Sequence, residues 1–259
     1  MSKDLVSERL SSHGSRLDLS RDIPESRGFA VPLTPAELAL KRWVDIVVGS
    51  LLLVFVLPLA ALVAIFVKMD SPGPVFFSQE RVGRYGRPFV MLKFRTLFTD
   101  RSDREGRFQA TIHDPRVTRV GRWLRRTSID ELPQLVNVIK GDMSLVGPRP
   151  HAPATEVEGR PFSEALPNYE KRHCLKPGLT GWAQVHGWRG PTPTLKSLEN
   201  RLEYDLEYIE NWSMSLDAII LLRTLGVPFT PHAGGRDAGT AEPSVNHAGA
   251  RQDSREQEP

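Results

Sequence analysis

The feature that most constrains this chain is a nearly unbroken apolar run over Trp43–Val67. Of its 25 residues only four are not apolar: Asp45, Gly49, Ser50 and Pro58. A run of this length and purity is typical of a membrane segment. It argues against a purely soluble enzyme, and a single run argues against a multi-span transporter or channel. A catalytic or binding domain of roughly 160 residues, an ordinary domain size, remains.

The path of this segment has two interpretations. A straight helix over the run would be roughly 37 Å long, enough to cross a hydrocarbon core of about 30 Å. Pro58 lies in its interior, where it kinks a helix, and basic residues flank both ends, Lys41 and Arg42 before it and Lys68 after it. Because a spanning helix usually has basic residues at one end, these features favour re-entry with a break at Pro58. A kinked spanning helix is the alternative.

The rest of the chain divides by composition. Residues 1–36 and 231–259 are polar and without apolar periodicity, so we expect two disordered tails. Between them we expect a re-entrant membrane helix over 37–70 and a compact cytoplasmic catalytic domain over 71–230. The single cysteine, Cys174, cannot form an intrachain disulfide, which favours the cytoplasm over an oxidising compartment.

Positive charge is concentrated just after the membrane segment. Residues 79–126 contain 13 lysines and arginines against 5 aspartates and glutamates, although the whole chain has a net charge of only +3. Such a region attracts anions. The neighbouring membrane segment favours anionic lipid or a phosphorylated substrate over nucleic acid.

Apolar spacing predicts an α+β fold that is mostly helical. Pro88–Phe98 alternates as a strand does, and Thr118–Arg126 and Leu132–Lys140 are predicted helices. Leu195–Ile209 has apolar residues at spacings of three and four, which predicts an amphipathic helix. We expect this helix at the membrane interface, with packing in the domain core as the alternative.

The densest group of reactive side chains lies between these predicted helices. Asp130 and Glu131 follow three arginines within ten residues. Ser128-x-x-Glu131 matches a helix capping box, which is the structural interpretation. Pro133 complicates that interpretation, since it would fall past the first turn of a helix capped by Ser128. A helix that starts at Pro133 instead leaves both carboxylates on the connection before it.

On such a connection the two carboxylates would suit phosphoryl transfer. A helix N-terminus and guanidinium groups would keep Asp130 ionised and available as a nucleophile. Glu131 would offer oxygen ligands to Mg²⁺, which accepts few protein ligands and shares phosphate oxygens. Downstream, Arg149 stands between two prolines and is presented with little conformational freedom. A structural turn is the alternative there.

These motifs, in order and spacing, resemble the bacterial monotopic phosphoglycosyl transferases, also called bacterial sugar transferases or polyprenyl-phosphate sugar-phosphotransferases. The resemblance extends from Lys41 to about Leu225. It is carried by Thr127-Ser-Ile-Asp-Glu-Leu-Pro-Gln-Leu135, Gly141-Asp-Met-Ser-Leu-Val-Gly-Pro-Arg-Pro150 and Lys176-Pro-Gly-Leu-Thr-Gly-Trp-Ala-Gln184, and also by Gln79-Glu-Arg-Val-Gly83 and Lys93-Phe-Arg-Thr96. Several ordered motifs together are far more specific than any one of them.

The resemblance implies transfer of a sugar 1-phosphate from a UDP-sugar to undecaprenyl phosphate, which starts O-antigen, capsule or exopolysaccharide assembly. Asp130 would form a covalent phosphosugar intermediate, and Glu131 with Asp130 would hold Mg²⁺. Phosphates would contact Lys93, Arg125, Arg149 and, less strongly, Arg201 and Asp205. The alternative is an inactive scaffold or regulator of polysaccharide assembly.

The resemblance also implies a location, the bacterial inner membrane with the catalytic domain on its cytoplasmic face. It favours re-entry of the membrane helix. Family members commonly have Ser-Pro at the helix break, whereas this chain has Leu57-Pro58. The missing hydroxyl affects the stability of the break rather than the chemistry.

Overall fold

The computed structural model describes residues 33–101 and 114–226, together with Gly106 and Gln109. The two predicted tails lie outside these residues, apart from 33–36. The fold mixes helix and strand, with helix predominant, as expected. The helices are α1 (Pro35–Asp70), α2 (Arg119–Thr127), α3 (Gln134–Lys140), α4 (Phe162–Ala165), α5 (Trp182–Val185), α6 (Leu195–Glu210) and α7 (Met214–Thr224). The strands are β1 (Phe76–Val82), β2 (Pro88–Phe94), β3 (Ser144–Val146), β4 (Glu156–Val157), β5 (Arg160–Pro161) and β6 (Gly178–Thr180).

Helix α1 contains the apolar run and is 36 residues long. It begins at a capping box, in which Thr34 and Glu37 satisfy each other's backbone N–H groups. It continues through Pro58 without interruption, so the structure has no gap in the helix at the predicted break. The helix is long and apolar enough to cross a membrane, and only 11% of its most apolar stretch is buried in protein. Re-entry stays a prediction.

The first part of α1 is bound to the domain by buried polar contacts. Lys41 Nζ donates to Asp217 Oδ2 at 2.5 Å. Asp45 accepts from the backbone N–H of Leu145 at 2.8 Å. Both carboxylates are nearly inaccessible, and Ser144 also donates to Asp45 and Tyr208 to Asp217, so loss of these donors would be costly. These contacts fix the helix against α7 and β3.

The last part of α1 packs on the same domain. Val63 and Val67 are buried with Phe94 of β2 and Leu124 of α2. Asp70 accepts from the backbone N–H of Val120 at 3.0 Å. Both ends of α1 therefore contact one domain, and the stretch between them carries exposed apolar side chains.

Strands β1 and β2 form an antiparallel hairpin, which confirms the predicted strand over 88–94. Phe77 pairs with Lys93, and Gln79 pairs with Met91. Since paired residues share a face and alternate residues point the same way, Gln79, Arg81 and Lys93 lie on one face of the hairpin. That face forms part of the cavity described below.

The parallel pair β3–β6 holds the two Gly/Pro loops against each other. A Cβ on Gly147 would lie 2.4 Å from the carbonyl oxygen of Lys176, and one on Gly178 would lie 2.1 Å from the N of Gly147. Only glycine permits this backbone approach. The contact places Arg149, two residues after Gly147, at a defined position.

The amphipathic helix over 195–209 is present as α6, but its predicted place at the membrane interface is wrong. Its apolar residues Leu198 and Leu202 are buried against Phe162 and Tyr169, and Ile209 is buried in the main core. The stripe is covered by protein, which was the alternative. Apolar side chains are exposed instead on α7, where Leu222 is 70% accessible, and beyond it.

Candidate active site

The two adjacent carboxylates lie on a tight turn between α2 and α3. Ser128 adopts the left-handed conformation (φ 59°) and reverses the chain, and Ile129–Glu131 then forms one 3-10 turn. The Ser128 side chain makes no capping hydrogen bond, so the capping-box interpretation is wrong. The alternative, with both carboxylates before α3, is confirmed. A non-glycine residue at positive φ is uncommon and is often found at functional sites.

Glu131 is held by two cations. Lys93 Nζ donates to Glu131 Oε1 at 2.7 Å, and Arg149 Nη1 donates to Oε2 at 3.0 Å. Arg149 Nη2 also donates to Oε1. Burial alone would raise the pKa of this carboxyl, but Arg149 and Lys93 outweigh burial and hold the pKa well below its usual range. Glu131 is therefore ionised at neutral pH, and its contacts join β2 to the loop that carries Arg149.

Asp130 has a different environment from its neighbour. Its carboxylate is 4.0 Å from Lys93 Nζ, and no described residue donates a hydrogen bond to it. Burial raises its pKa to about 6, and the adjacent Glu131 adds to the rise against the opposing effect of Lys93. As expected, nearby cations favour the ionised form, since Lys93 and Arg125 lower this pKa, but the effect of burial is larger. At pH 7 Asp130 is still mostly ionised.

Both carboxylates line a cavity of about 1130 Å³. Four of the five side chains predicted to contact phosphate also line it: Lys93, Arg125, Arg149 and Arg201. The structure therefore brings together residues that are up to 108 positions apart in the chain. Their roles stay predictions, but their placement around one cavity is what those roles require.

The cavity contains further basic side chains that the sequence did not single out, Arg81 and Arg189. Burial and the proximity of Arg149 lower the pKa of Arg81 to about 10. Burial and Arg149 likewise lower the pKa of Arg201 to about 10, and the Arg201 Nε atom is buried without a hydrogen-bond partner. Clustered guanidinium groups with unused donors favour an anionic ligand. The sequence did offer a signal for Arg81. It belongs to the Gln79–Gly83 motif and lies two residues after Gln79, so in a strand both side chains point to the same face.

A buried ion pair between Arg172 and Asp205 holds the backbone of the Arg149 loop in place. Arg172 Nη2 donates to the carbonyl oxygen of Arg149 at 2.8 Å and to Asp205 Oδ2 at 2.6 Å. Asp205 is 1% exposed and does not line the cavity. The weaker prediction that Asp205 contacts substrate is therefore wrong, because this carboxylate neutralises Arg172. It supports the site through Arg172 and the loop backbone.

The two carboxylates fit Mg²⁺ only if the ion takes most of its ligands from substrate and water. The part of the chain that the structure describes contains no group of three or more His, Cys, Asp or Glu side chains that could hold a metal. Glu131 Oε1 already accepts two hydrogen bonds, whereas Oε2 accepts one and keeps a lone pair. Asp130 offers its free oxygens. Mg²⁺ bound by one or two carboxylates plus phosphates matches this donor set.

Comparisons with known proteins identify the family of this chain. The profile of a family described as bacterial sugar transferase matches residues 36–231. The UDP-glucose:undecaprenyl-phosphate glucose-1-phosphate transferase of Escherichia coli is 46% identical over 219 residues, which cover 85% of this chain and 46% of that protein. The undecaprenyl-phosphate glucose phosphotransferase of Komagataeibacter xylinus is 50% identical over 75% of this chain and 36% of that protein. A UDP-glucose:undecaprenyl-phosphate glucose-1-phosphate transferase of Caulobacter vibrioides is 49% identical over 76% of this chain and 72% of that protein. The chain thus matches less than half the length of the first two relatives.

Proposed function

The chain belongs to the bacterial sugar transferase family, and on that premise we propose that it transfers a sugar 1-phosphate from a UDP-sugar to undecaprenyl phosphate. The observation that carries the proposal is the unshared Asp130 carboxylate on the wall of a cationic cavity. An ionised carboxylate to which no described residue donates a hydrogen bond is a competent nucleophile, and the surrounding cations favour a phosphorylated substrate.

In the first step, an Asp130 oxygen attacks the β-phosphorus of the UDP-sugar. The bond between that phosphorus and the bridging oxygen breaks, UMP leaves with the electron pair, and an aspartyl phosphosugar remains. Lys93 and Arg125 lie where they can bind phosphate oxygens as charge moves to the leaving group. Bound Mg²⁺ would neutralise phosphate charge in this site, with Glu131 and Asp130 as its protein ligands.

In the second step, a phosphate oxygen of undecaprenyl phosphate attacks the same phosphorus. The acyl-phosphate bond breaks, Asp130 leaves as a carboxylate, and the product is a lipid diphosphosugar. The Arg149 guanidinium, held by Glu131, has a fixed orientation in both steps, so little reorganisation is needed when charge develops.

For the membrane segment, we propose that α1 enters and leaves on one face of the bacterial inner membrane, the cytoplasmic one. The support is that Lys41 and Asp45 at one end and Val67 and Asp70 at the other contact the same domain. One domain cannot lie on both sides of a bilayer. Pro58, between these contacts, is the position at which a bend is least costly.

For the donor, we propose UDP-glucose, because the relatives named above are described as glucose transferases. The pathway would be the initiation of exopolysaccharide, capsule or O-antigen assembly. The runner-up, an inactive scaffold or regulator, has no observation in its favour, since the carboxylates and their cations are present together at the cavity.

The proposal is tested with the full-length protein in lipid nanodiscs. UMP release is measured for UDP-glucose, UDP-galactose and their N-acetylated derivatives, with and without undecaprenyl phosphate, in Mg²⁺ and again after chelation. We expect one equivalent of UMP without acceptor, continuous release with it, UDP-glucose as the fastest donor and no release after chelation until Mg²⁺ is restored. Folded protein that releases no UMP from any donor would remove the enzymatic proposal.

The pH dependence of the first step should report Asp130. Because burial raises the Asp130 pKa to about 6, we expect the single-turnover rate of UMP release to rise between about pH 5 and 7 and then level off. Lys93 opposes that rise, so Lys93→Met should move the profile to higher pH as well as slow the reaction. Lys196→Met, at an exposed position on α6, is the control. A profile that is flat from pH 5 to 8 would contradict Asp130 as the titrating nucleophile.

A further inference from the structure

We propose that the prenyl chain of the lipid acceptor lies in an apolar groove between α1 and α7, an inference that rests on the proposed function. The groove is the apolar part of the same cavity that contains Asp130. Its wall is formed by Val48 and Leu52 of α1 and by Leu221, Leu222 and Leu225 at the end of α7. We call these five residues the acceptor groove.

The first argument is continuity with the nucleophile. Leu132, two residues after Asp130, and Leu145 of β3 line the cavity together with the acceptor groove. Asp45, which accepts from the Leu145 backbone, fixes α1 beside β3. The apolar wall therefore begins next to the catalytic turn and continues to the membrane helix.

The second argument is continuity with the lipid-facing surface. Leu222 is 70% and Leu225 75% exposed, and on α1 Leu52 adjoins Leu51 and Phe55, of which Phe55 is 82% exposed. Exposed apolar side chains of this kind are unfavourable in water and mark a contact with lipid or another apolar partner. Here the same two helices carry both the exposed apolar residues and the apolar residues that line the cavity.

The third argument is the mixed chemistry of the cavity lining. Guanidinium and ammonium groups, including those of Arg125 and Lys93, form part of the lining, and the apolar acceptor groove forms another part. An amphiphile with a terminal phosphate and a long hydrocarbon chain matches both parts. A soluble nucleotide sugar matches the charged part alone, so we assign the acceptor groove no role in donor binding.

The test compares matched leucine-to-glutamine and isoleucine-to-glutamine variants of the full-length protein in nanodiscs. Leu222→Gln and Leu52→Gln change the acceptor groove. Ile219→Gln and Leu51→Gln change exposed apolar side chains of the same two helices that do not line the cavity. Three quantities are measured for each: UMP release without acceptor, KM for undecaprenyl phosphate, and KM for a prenyl phosphate of two isoprene units.

We expect the groove variants to raise the KM for undecaprenyl phosphate about five- to tenfold, because each removes apolar contact with the chain. The KM for the short acceptor should change less, since a short chain does not fill the groove. UMP release without acceptor should keep its wild-type rate, and both control variants should match the wild type throughout.

Three outcomes would overturn the inference: groove variants with wild-type KM for the long acceptor, control variants with the same defect, or equal defects with long and short acceptors. A defect relieved by lowering the content of ordinary phospholipid would assign the groove to bulk lipid and also overturn it. Failure of the wild type to release UMP in the absence of acceptor is a separate result, which counts against the proposed function.

Discussion

Asp130→Asn is expected to abolish phosphosugar transfer and the covalent intermediate while the protein stays folded. An amide cannot attack phosphorus to give a stable acyl phosphate, so we expect a loss of about 10³-fold or more in the rate of UMP release. Intact-mass spectrometry after incubation with UDP-glucose should show the phosphosugar adduct on the wild type and not on Asp130→Asn. Asp142→Asn, a carboxylate on the turn after α3 that lies outside the cavity, is the matched control and should keep both activities.

The same substitution should not lower stability at neutral pH. The folded-state pKa of Asp130 is raised from 3.8 to about 6, so the folded protein holds a proton that the unfolded chain has already released. The free energy of unfolding therefore falls as the pH rises through this window. Asparagine removes that penalty, and we expect a melting temperature at pH 7 equal to or above that of the wild type. An Asp130→Asn protein that is active, or that is unfolded at pH 7, would contradict this account.

Glu131→Gln should have the opposite effect on stability. The pKa of Glu131 is lowered by Arg149 and Lys93 against the effect of burial, so its ionised form stabilises the folded state. That contribution is complete above the unfolded value of about 4.5 and is lost as the pH falls below it. At pH 7 the amide leaves two partly buried cations without their shared carboxylate, at a cost of about 3 kcal/mol.

The activity of Glu131→Gln should fall as well, by about 10²- to 10³-fold, since Arg149 and Lys93 lose the group that orients them and a metal ligand is removed. Thermal unfolding at pH 7 and single-turnover UMP release measure the two effects. Glu203→Gln, at an exposed position on α6, is the control and should leave both unchanged. A melting temperature equal to that of the wild type would mean that Glu131 does not hold these cations in the folded protein.

The two predictions separate the roles of neighbouring residues of nearly identical chemistry. Asp130, the proposed nucleophile, is buried, lies 4.0 Å from Lys93 Nζ and accepts no hydrogen bond from the described residues, so its ionised form lowers stability. Glu131 has two partners and contributes stability. The asymmetry follows from the 3-10 turn, which directs the Glu131 side chain towards β2 and the Arg149 loop.

Several features of this protein followed from local sequence. Residues close together in the chain determine the extent of the long apolar helix and of the strand before residue 94. They also determine the two short helices and the position of the carboxylates between them. Periodicity, proline and adjacent charge are local properties, so they were predictable. The motifs also identified Lys93, Arg125, Arg149 and Arg201, which the structure places at one cavity.

Other features depended on contacts between distant residues. The periodicity of α6 predicted an apolar face, but not that Phe162 and Tyr169 would cover it. The sequence placed Asp130 among arginines, yet its pKa is raised, chiefly because the fold buries it and also because Glu131 adds a like charge beside it. The pairing of β1 with β2 places Arg81 at the cavity. Asp205 lies outside it, because its carboxylate accepts from Arg172.

The sequence by itself thus determined which side chains were available for chemistry and which segment is apolar enough to enter a membrane. Only the tertiary structure decided which carboxylate accepts hydrogen bonds from Lys93 and Arg149, and which apolar faces stay exposed. The physical reason is that electrostatic and hydrophobic free energies depend on distance and burial in space. Those quantities are set by contacts such as Lys93 with Glu131, which lie 38 residues apart in the chain.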